Sequence, residues 1–178
     1  MALVLNGDGN ITGLLAGGLP DGSVTADDIA SLPAGSVLQV VQAVYSTTVN
    51  ITSDSFVDSG LSASITPSDS SSKILVMCSF QLAAQQSNAD RARSGWKILR
   101  GATDIMSVQP YSYGMIQIGG TTGETFFVGH PQVTYLDSPN TTLATTYKLQ
   151  LAKYEGQVIL NYGAVTNGST IILMEIAA

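Results

Sequence analysis

The feature that most constrains this chain is an apolar side chain at every second position, repeated in short segments from residue 37 onward. In "TTYKLQLAKY", Tyr147, Leu149 and Leu151 alternate with Lys148 and Gln150. A period of two places such residues on one face of a β-strand, whereas a helix repeats at about 3.6 residues. Turn residues separate the segments at regular intervals, and none carries a helical stripe. The pattern predicts an all-β fold, an antiparallel jelly-roll-like β-sandwich of roughly eight to ten strands.

The first 36 residues follow a different pattern, with small apolar clusters spread along a glycine-rich segment. Six glycines occur within residues 1–23, a density that argues against a core element there. The segment is also too apolar for a solvated tail. We therefore expect an extended docking arm over residues 1–36, ordered by contact with another protein, and a sandwich domain over residues 37–178. An arm folded back on its own domain is the alternative. The expected docking residues are Leu3, Leu5, Leu14, Leu15, Leu19 and Ile29.

A single helical turn is predicted between the arm and the sandwich. In "GLPDGSVTADDIASLPAG", Thr25 can cap a helix N-terminus and Asp28 follows three residues later. Pro33 prevents the helix from continuing. The turn is interpreted as a connection between the two parts of the chain.

The composition favours a chain that buries part of its surface against copies or partners. Charged residues make up only 11% of the sequence, and 13 acidic against 7 basic residues give a net charge of −6. Such a surface is poorly suited to a solitary soluble domain. No basic run is present, so nucleic acid is not expected as a ligand. The sequence also lacks the features of a signal peptide and of a membrane-spanning helix, so membrane insertion is not expected.

The residues that carry enzymatic chemistry do not form recognisable patterns. His130 is the only histidine and lies in a Gly-His-Pro turn, and no G-x-S-x-G motif accompanies the many serines. A single histidine cannot supply a two-histidine metal site, and no spacing pairs two carboxylates for glycoside cleavage. Cys78, the only cysteine, lies in the apolar run "KILVMCSF" and is interpreted as a small buried hydrophobe. We predict no catalytic residue, no cofactor and no metal.

Two stretches interrupt the strand rhythm and are predicted to be long loops, residues 83–94 and 109–123. Trp96, Tyr111 and Tyr113 lie in or beside them, close to several side-chain amides. Aromatic rings with polar neighbours suit the recognition of sugars or proteins, so these residues form a candidate receptor or partner loop. A host surface glycan is one candidate ligand. In the alternative interpretation, Trp96 and one tyrosine fill the end of the sandwich.

Four segments resemble a recurring β-domain of tailed-phage structural proteins, especially those of aquatic and cyanobacterial phages. They are "LSASITPSDSSSKILVM", "ILRGATDI", "YLDSPNTTLATTYKLQLA" and "STIILMEIAA". The leader "GLPDGSVTADDIAS" is similar to segments that precede such domains. The resemblance implies a virion component, a homotrimer with its β-domains about a threefold axis and its arm attached to the particle. It supplies no catalytic motif.

Two roles in a virion compete on this evidence. One is a capsid decoration or cement protein that clamps neighbouring capsid subunits, and the other is a short tail fibre or receptor-binding knob. The acidic charge and the lack of a coiled-coil or repeat shaft between arm and sandwich favour the first role. The expected partners are further copies of the chain and the major capsid or tail proteins. A carbohydrate-binding module is the alternative from another functional class.

Overall fold

A computed structural model describes residues 4–5, 11–12, 32–86, 93–109, 125–163 and 168–178. The chain divides into two compact units, Met1–Pro33 and Ala34–Ala178. In the first unit, β1 (Val4–Leu5) pairs antiparallel with β2 (Ile11–Thr12). The helical turn predicted after Thr25 lies outside the described residues.

The described part of the second unit consists of strands and their connections, without a helix. Its strands are β3 (Val37–Tyr45), β4 (Val49–Ile51), β5 (Val57–Ile65), β6 (Lys73–Ser79), β7 (Leu82–Gln86), β8 (Arg93–Arg100), β9 (Thr103–Val108), β10 (Thr125–Gly129), β11 (Gln132–Asp137), β12 (Thr145–Glu155), β13 (Gln157–Leu160) and β14 (Ser169–Ile176). All the pairings between them are antiparallel. The predicted all-β sandwich is confirmed.

Two of the three four-stranded sheets are the halves of one larger sheet. Their strand orders are β11-β6-β14-β3 and β10-β7-β13-β4. Three strands of one half are followed within two or three residues by their counterparts in the other, as β3 is by β4, β6 by β7 and β10 by β11, whereas residues 161–168 separate β13 from β14. We call the two halves together the bent sheet, and the short connections between them the bend. The remaining four-stranded sheet has the order β5-β12-β8-β9, and we call it the second sheet.

Counting each bent strand once gives eight strands with a jelly-roll order. The first and last long strands pair (β3 with β14), as do the second and seventh (β5 with β12). The third pairs with the sixth (β6 with β11), and the fourth with the fifth (β8 with β9). A chain folded as one long hairpin and then rolled into two layers produces this nesting. The jelly-roll part of the prediction is therefore confirmed as well.

The core lies between the two layers and is filled by alternate residues of each strand. Tyr147, Leu149 and Leu151 of β12 are fully buried, as their spacing in the sequence predicts. Cys78 of β6 is 2% exposed, which confirms its interpretation as a buried hydrophobe, and burial raises the pKa of its thiol to about 12. The sulfur is therefore a packing atom at neutral pH.

Asn161 holds the bend of the bent sheet together. Its Nδ2 donates to the backbone oxygens of Tyr45 at 2.7 Å and Thr47 at 3.1 Å. Its Oδ1 accepts from the Ser169 hydroxyl at 2.7 Å, and its backbone N–H donates to the Gln81 oxygen at 3.1 Å. Asn161 is fully buried and has a φ of 54°, a conformation that asparagine tolerates better than most residues. One residue, through its side chain and its backbone N–H, thus links the β3–β4 and β6–β7 connections to its own segment.

A buried ion pair connects the two layers at one end of the sandwich. Arg100 Nη1 donates to both oxygens of Asp137, at 2.9 and 2.8 Å. The Tyr147 hydroxyl donates to Asp137 Oδ2 at 2.7 Å. Burial, and then the hydrogen bond to Asp137, raises the pKa of Tyr147 above its usual value. Asp137 belongs to the bent sheet and its two partners to the second sheet, so these bonds fix the layers to each other.

A second buried carboxylate, that of Glu175, lies in the same cross-strand row of the bent sheet as Asp137. Glu175 is fully buried and accepts hydrogen bonds from Gln39 Nε2 at 2.5 Å and from the Ser68 backbone N–H and hydroxyl, both at 2.7 Å. Burial by itself would raise the pKa of Glu175, but the hydrogen bonds from Gln39, Ser68 and Ser72 outweigh it and lower the pKa to about 2. The carboxylate is therefore held in its charged form.

Candidate interaction face

The outer face of the half-sheet β11-β6-β14-β3 is unusually apolar for a surface that meets water. In β6, Ile74, Val76 and Cys78 point into the core, so the residues between them point outward. The strand register aligns one outward row across the four strands. That row consists of Leu136, Leu75, Met174 and Val40.

Two further outward rows continue this surface toward the bend. They are Thr134, Met77, Ile172 and Gln42, followed by Gln132, Ser79, Thr170 and Val44. No side chain in the three rows carries a charge. The charged residue next to them is Lys73, at the start of β6, which pairs with Ile176 at the end of the half-sheet. We call the three rows the apolar face.

The outermost strands of the apolar face expose the most hydrocarbon. Val40 is 56% exposed, Val44 is 54% exposed and Leu136 is 48% exposed. An antiparallel sheet with one solvated side ordinarily has polar residues at such positions. Exposing a row of large aliphatic side chains is unfavourable, by about 25 cal/mol for each Å² that a partner would remove from water. The face therefore has the character of a contact surface.

A shallow groove of about 190 Å³ runs along this face between β11, β6 and β14. Its walls include Met77, Ser79, Thr134, Thr170 and Ile172. Pockets for small ligands usually have a volume of about 300–1,000 Å³ and surround most of the ligand. The groove is smaller than that, so it fits a protruding side chain of another protein better than a free small molecule.

The outer face of the second sheet has the opposite character. Asp58 accepts hydrogen bonds from Gln150 Nε2 at 2.7 Å and from Lys148 Nζ at 3.0 Å. The bond from Gln150, followed by that from Lys148, lowers the pKa of Asp58. Lys97 Nζ lies 2.5 Å from Asp104 Oδ2 on the same surface. Paired charges and amides of this kind are what a sheet presents to water.

Trp96 departs from its predicted role. It lies in β8 opposite Leu151, is 6% exposed and packs edge-on against Phe80, with ring centroids 6.1 Å apart and planes at 68°. This burial corrects the prediction that Trp96 belongs to a receptor or partner loop; the alternative, a ring that fills the sandwich, is what the structure shows. The physical reason is that Trp96 lies on the inner side of β8, two residues before the fully buried Ile98. The loop predicted over 83–94 is shorter, because β7 extends to Gln86 and β8 begins at Arg93.

The other predicted site residues fall outside the residues whose side chains are described. They are Tyr111 and Tyr113 of the second loop and Leu3, Leu5, Leu14, Leu15, Leu19 and Ile29 of the arm. Leu5 belongs to β1, where the backbone is described. Their roles stay predictions.

Two other features of functional sites do not occur in the described ranges. No three histidine, cysteine or acidic side chains come together there in a way that could hold a metal ion. Among the same residues, no helix has the length and hydropathy to cross a membrane.

The sequence analysis did not single out the apolar face, although the sequence contains a signal for it. Residues 73–80, "KILVMCSF", and 169–176, "STIILMEI", are apolar at both odd and even positions, so neither strand has a consistently polar side. A strand of this kind is covered on both faces. Since the core covers one face, the other needs a partner.

Comparison with known proteins adds distant structural likenesses. No family model and no curated protein matches the chain. A solved structure of the infectious bursal disease virus Gt strain shares 14% identity at a TM-score of 0.37, over 90% of this chain and 43% of that one. The T13 particle of the same virus shares 13% identity at a TM-score of 0.38, over 90% of this chain and 40% of that one. Its T=1 particles share 13% identity at a TM-score of 0.34, over 90% of this chain and 41% of that one. The chain thus spans about two fifths of those chains, and likeness of this degree does not assign a function.

Proposed function

We propose that the protein is a structural component of a phage virion and acts as a homotrimeric capsid decoration or cement protein anchored by its N-terminal arm. The observation that carries the proposal is the apolar face, a surface of uncharged rows on a sandwich whose other outer face carries ion pairs. Such a face is useful to a protein that works in an assembly. The jelly-roll order is compatible with this role but does not decide it, because lectin and cupin domains use the same architecture.

Two features of the sequence support the proposal, and the second of them favours decoration over a fibre. The resemblance of four segments to tailed-phage β-domains supports a place in the virion, and the absence of a shaft between arm and sandwich supports a compact subunit seated on the particle. A short tail fibre or receptor-binding knob stays the second candidate, because that is the usual role of the domains it resembles.

The carbohydrate-binding alternative is weakened by one structural observation. Sugar recognition commonly uses an exposed aromatic ring, and the Trp96 ring is inside the core. Any aromatic platform would therefore depend on Tyr111 and Tyr113 alone among the three predicted residues. Binding of the full chain to a glycan array, abolished by Tyr111→Ala with Tyr113→Ala, would support that alternative against ours.

Counting copies in purified virions tests the proposed role directly. Quantitative mass spectrometry should find the chain at hundreds of copies per particle for a decoration protein. A few tens at most would indicate a fibre or knob, and absence from the particle would refute both. Removing residues 1–30 tests the anchor: the shortened protein should stay folded and no longer join particles. Normal incorporation of the shortened protein would contradict the docking arm.

A further inference from the structure

We infer that the open edge of β3 pairs with the same edge of a second copy of this chain, so that two copies join their bent sheets about a twofold axis. The contact is made by the edge of the half-sheet β11-β6-β14-β3 and not by its apolar face. It goes beyond the proposed function, because a twofold contact is additional to the proposed homotrimer and would connect one trimer to the next.

Hydrogen bonds at the end of β14 show which of its residues face β3. Ala177, directly after β14, donates to the Ser36 oxygen at 2.9 Å and accepts from the Gly35 N–H at 2.8 Å. Because alternate residues of a strand direct their backbone groups to opposite sides, the odd-numbered residues of β14 bond to β3 and the even-numbered ones to β6. The alternation continues one strand further, where the Phe80 N–H at the end of β6 donates to the Pro131 oxygen on the β11 side.

This alternation leaves three residues of β3 with backbone groups that point away from the sheet. The odd-numbered residues of β14 pair with Gln39, Val41, Ala43 and Tyr45. Val40, Gln42 and Val44 lie between them and direct their N–H and C=O groups away from β14. No described strand pairs with β3 on that side. Such an edge is a template for another strand.

β3 lacks the features that keep other sheet edges from pairing. The edge strand β11 contains the inward-facing Asp137. The edge strands β5 and β9 contain Asp58 and Asp104, and each has a register shift against its neighbour. β3 has no charged residue, proline or glycine in nine residues, and it pairs without a shift from Gln39 to Tyr45. Proteins ordinarily protect an edge of this kind, so its exposure indicates a partner strand.

The side chains of β3 show that this edge is open to water. Val41, on the inner side of β3, stays partly exposed, whereas its neighbour Leu173 in β14 is fully buried. Val133, on the inner side of the opposite edge strand β11, is buried as well. Another strand beside β3 would cover Val41 on the inside and Val40 and Val44 on the outside. Both sides of β3 therefore gain from an added strand.

The sequence of β3 favours a second copy of itself as that strand. With Gln42 of each copy on the twofold axis, Val40 of one copy lies opposite Val44 of the other. The three pairs join residues whose backbone groups point outward, so each pair forms two hydrogen bonds. The side chains that meet are valine with valine and amide with amide. Each chain carries a net charge of −6, and an uncharged strand is where two copies can approach.

The pairing also doubles the apolar face. Outward-facing residues pair with outward-facing residues, so the apolar faces of the two copies lie on the same side. Four strands about 4.8 Å apart and the seven residues of β6 give one copy a face of roughly 19 by 23 Å, or about 440 Å². A standard interface uses about 800 Å² on each partner. One copy offers about half of that area, and the pair offers all of it.

Disulfide formation tests the register. Oxidation of full-length Gln42→Cys should give a covalent dimer on a non-reducing gel, because Cα atoms of a hydrogen-bonded pair are about 5.5 Å apart, within the range of a disulfide. Thr134→Cys is the matched control, since it lies in the same outward row at the far edge of the half-sheet, and it should run as a single chain. Cys78 is buried in both variants. Equal cross-linking of the two variants, or none for Gln42→Cys, would overturn the inference.

Paired charges test the same contact without a cysteine. Val40→Lys with Val44→Lys places like charges opposite each other and should weaken the association at least about tenfold. Val40→Lys with Val44→Glu changes the same positions but brings opposite charges together, so it should associate within about threefold of the wild type. General repulsion predicts the opposite order, because the first variant moves the net charge closer to zero. Analytical ultracentrifugation of the full-length chains measures both, and that opposite order would contradict the pairing.

Native mass spectrometry and amide exchange detect other occupants of the edge. The wild-type chain should form species with an even number of copies, and the N–H groups of Val40, Gln42 and Val44 should exchange slowly. In the variant with two lysines they should exchange at least about tenfold faster. Species of only one or three copies would refute the inference, and slow exchange in such species would show that another segment or protein covers β3. These results leave the virion role to the particle count, which can fail independently.

Discussion

The two outer faces of this sandwich back onto one core and are built from antiparallel strands of similar length, yet their chemistry is opposite. The bent sheet presents Leu136, Leu75, Met174 and Val40 in one row. The corresponding row of the second sheet is Ser62, Lys148, Leu99 and Asp104. Leu99 is the apolar member of that row and is only 6% exposed.

This difference separates what the fold requires from what an interaction requires. Both sheets need apolar residues on their inner faces, since those residues make the core. Neither needs them outside, and the second sheet shows that the architecture is compatible with a charged, hydrogen-bonded exterior. The apolar exterior of the bent sheet is therefore a property that folding does not explain. Contact with another molecule does.

The largest expected difference between the two sides of the bent sheet comes from placing a carboxylate on the inner side of β14 in one variant and on its outer side in another. Leu173 is fully buried and Met174 beside it points outward. Leu173→Asp should destabilise the protein by more than about 4 kcal/mol, because it buries an unpaired charge in the core. Met174→Asp should change the free energy of unfolding of the monomer by less than about 1 kcal/mol. Urea unfolding measures both, and equal losses would contradict the assignment of the two faces.

A smaller effect is expected at the bend, which distinguishes the bent sheet from the second sheet. Asn161→Ala removes the donor to Tyr45 and Thr47 and the acceptor for Ser169. Leaving these groups unpaired should cost about 3 kcal/mol. Asn161→Gly loses the same bonds but tolerates the positive φ, so it should be the more stable variant by about 1 kcal/mol. The opposite order in thermal unfolding would show that the backbone conformation is not strained for alanine.

Acid should destabilise the folded protein through Glu175, which lies on the inner side of the bent sheet. The pKa of Glu175 is about 2 in the folded protein against an ordinary value of 4.5. Its contribution to the free energy of unfolding is therefore fully present above pH 4.5 and disappears as the pH falls toward 2. The expected loss is on the order of 3 kcal/mol over that window, from about 1.4 kcal/mol for each pKa unit. Glu175→Gln should flatten the dependence of the unfolding free energy on pH across it. An unchanged slope would mean that other groups govern the acid response.

The smallest effect is predicted for the ion pairs on the outer face of the second sheet. Asp58→Asn should cost only about 0.5 kcal/mol, because the side chains of Lys148 and Asp58 are 28% and 58% exposed and water screens them. The difference between variant and wild type should shrink further in about 1 M salt, where the Debye length is about 3 Å. A loss above about 2 kcal/mol would show that this face is stabilised as strongly as a core.

The sequence predicted most accurately where one local pattern sufficed. The alternation of Tyr147, Leu149 and Leu151 gave β12 and its inner face. The sequence predicted a jelly-roll-like fold in outline. It did not predict the pairing of individual strands, since period-two patterns do not specify which strands pair.

Other features depend on residues that are distant in the sequence. The hydrogen bonds of Asn161 reach Tyr45, more than a hundred positions away, and nothing in the surrounding sequence marks that residue as special. Trp96 was misassigned because its burial depends on which side of β8 faces the core. The apolar face was missed because a strand that is apolar on both sides shows that something covers it without showing what.

The bend gives the molecule a mechanical property. Three strands run through it with only two or three residues between their halves, at β3–β4, β6–β7 and β10–β11, and Asn161 hydrogen-bonds to the first two of these connections. A load applied to one half along its strands is carried to the other through covalent bonds rather than through contacts between separate sheets.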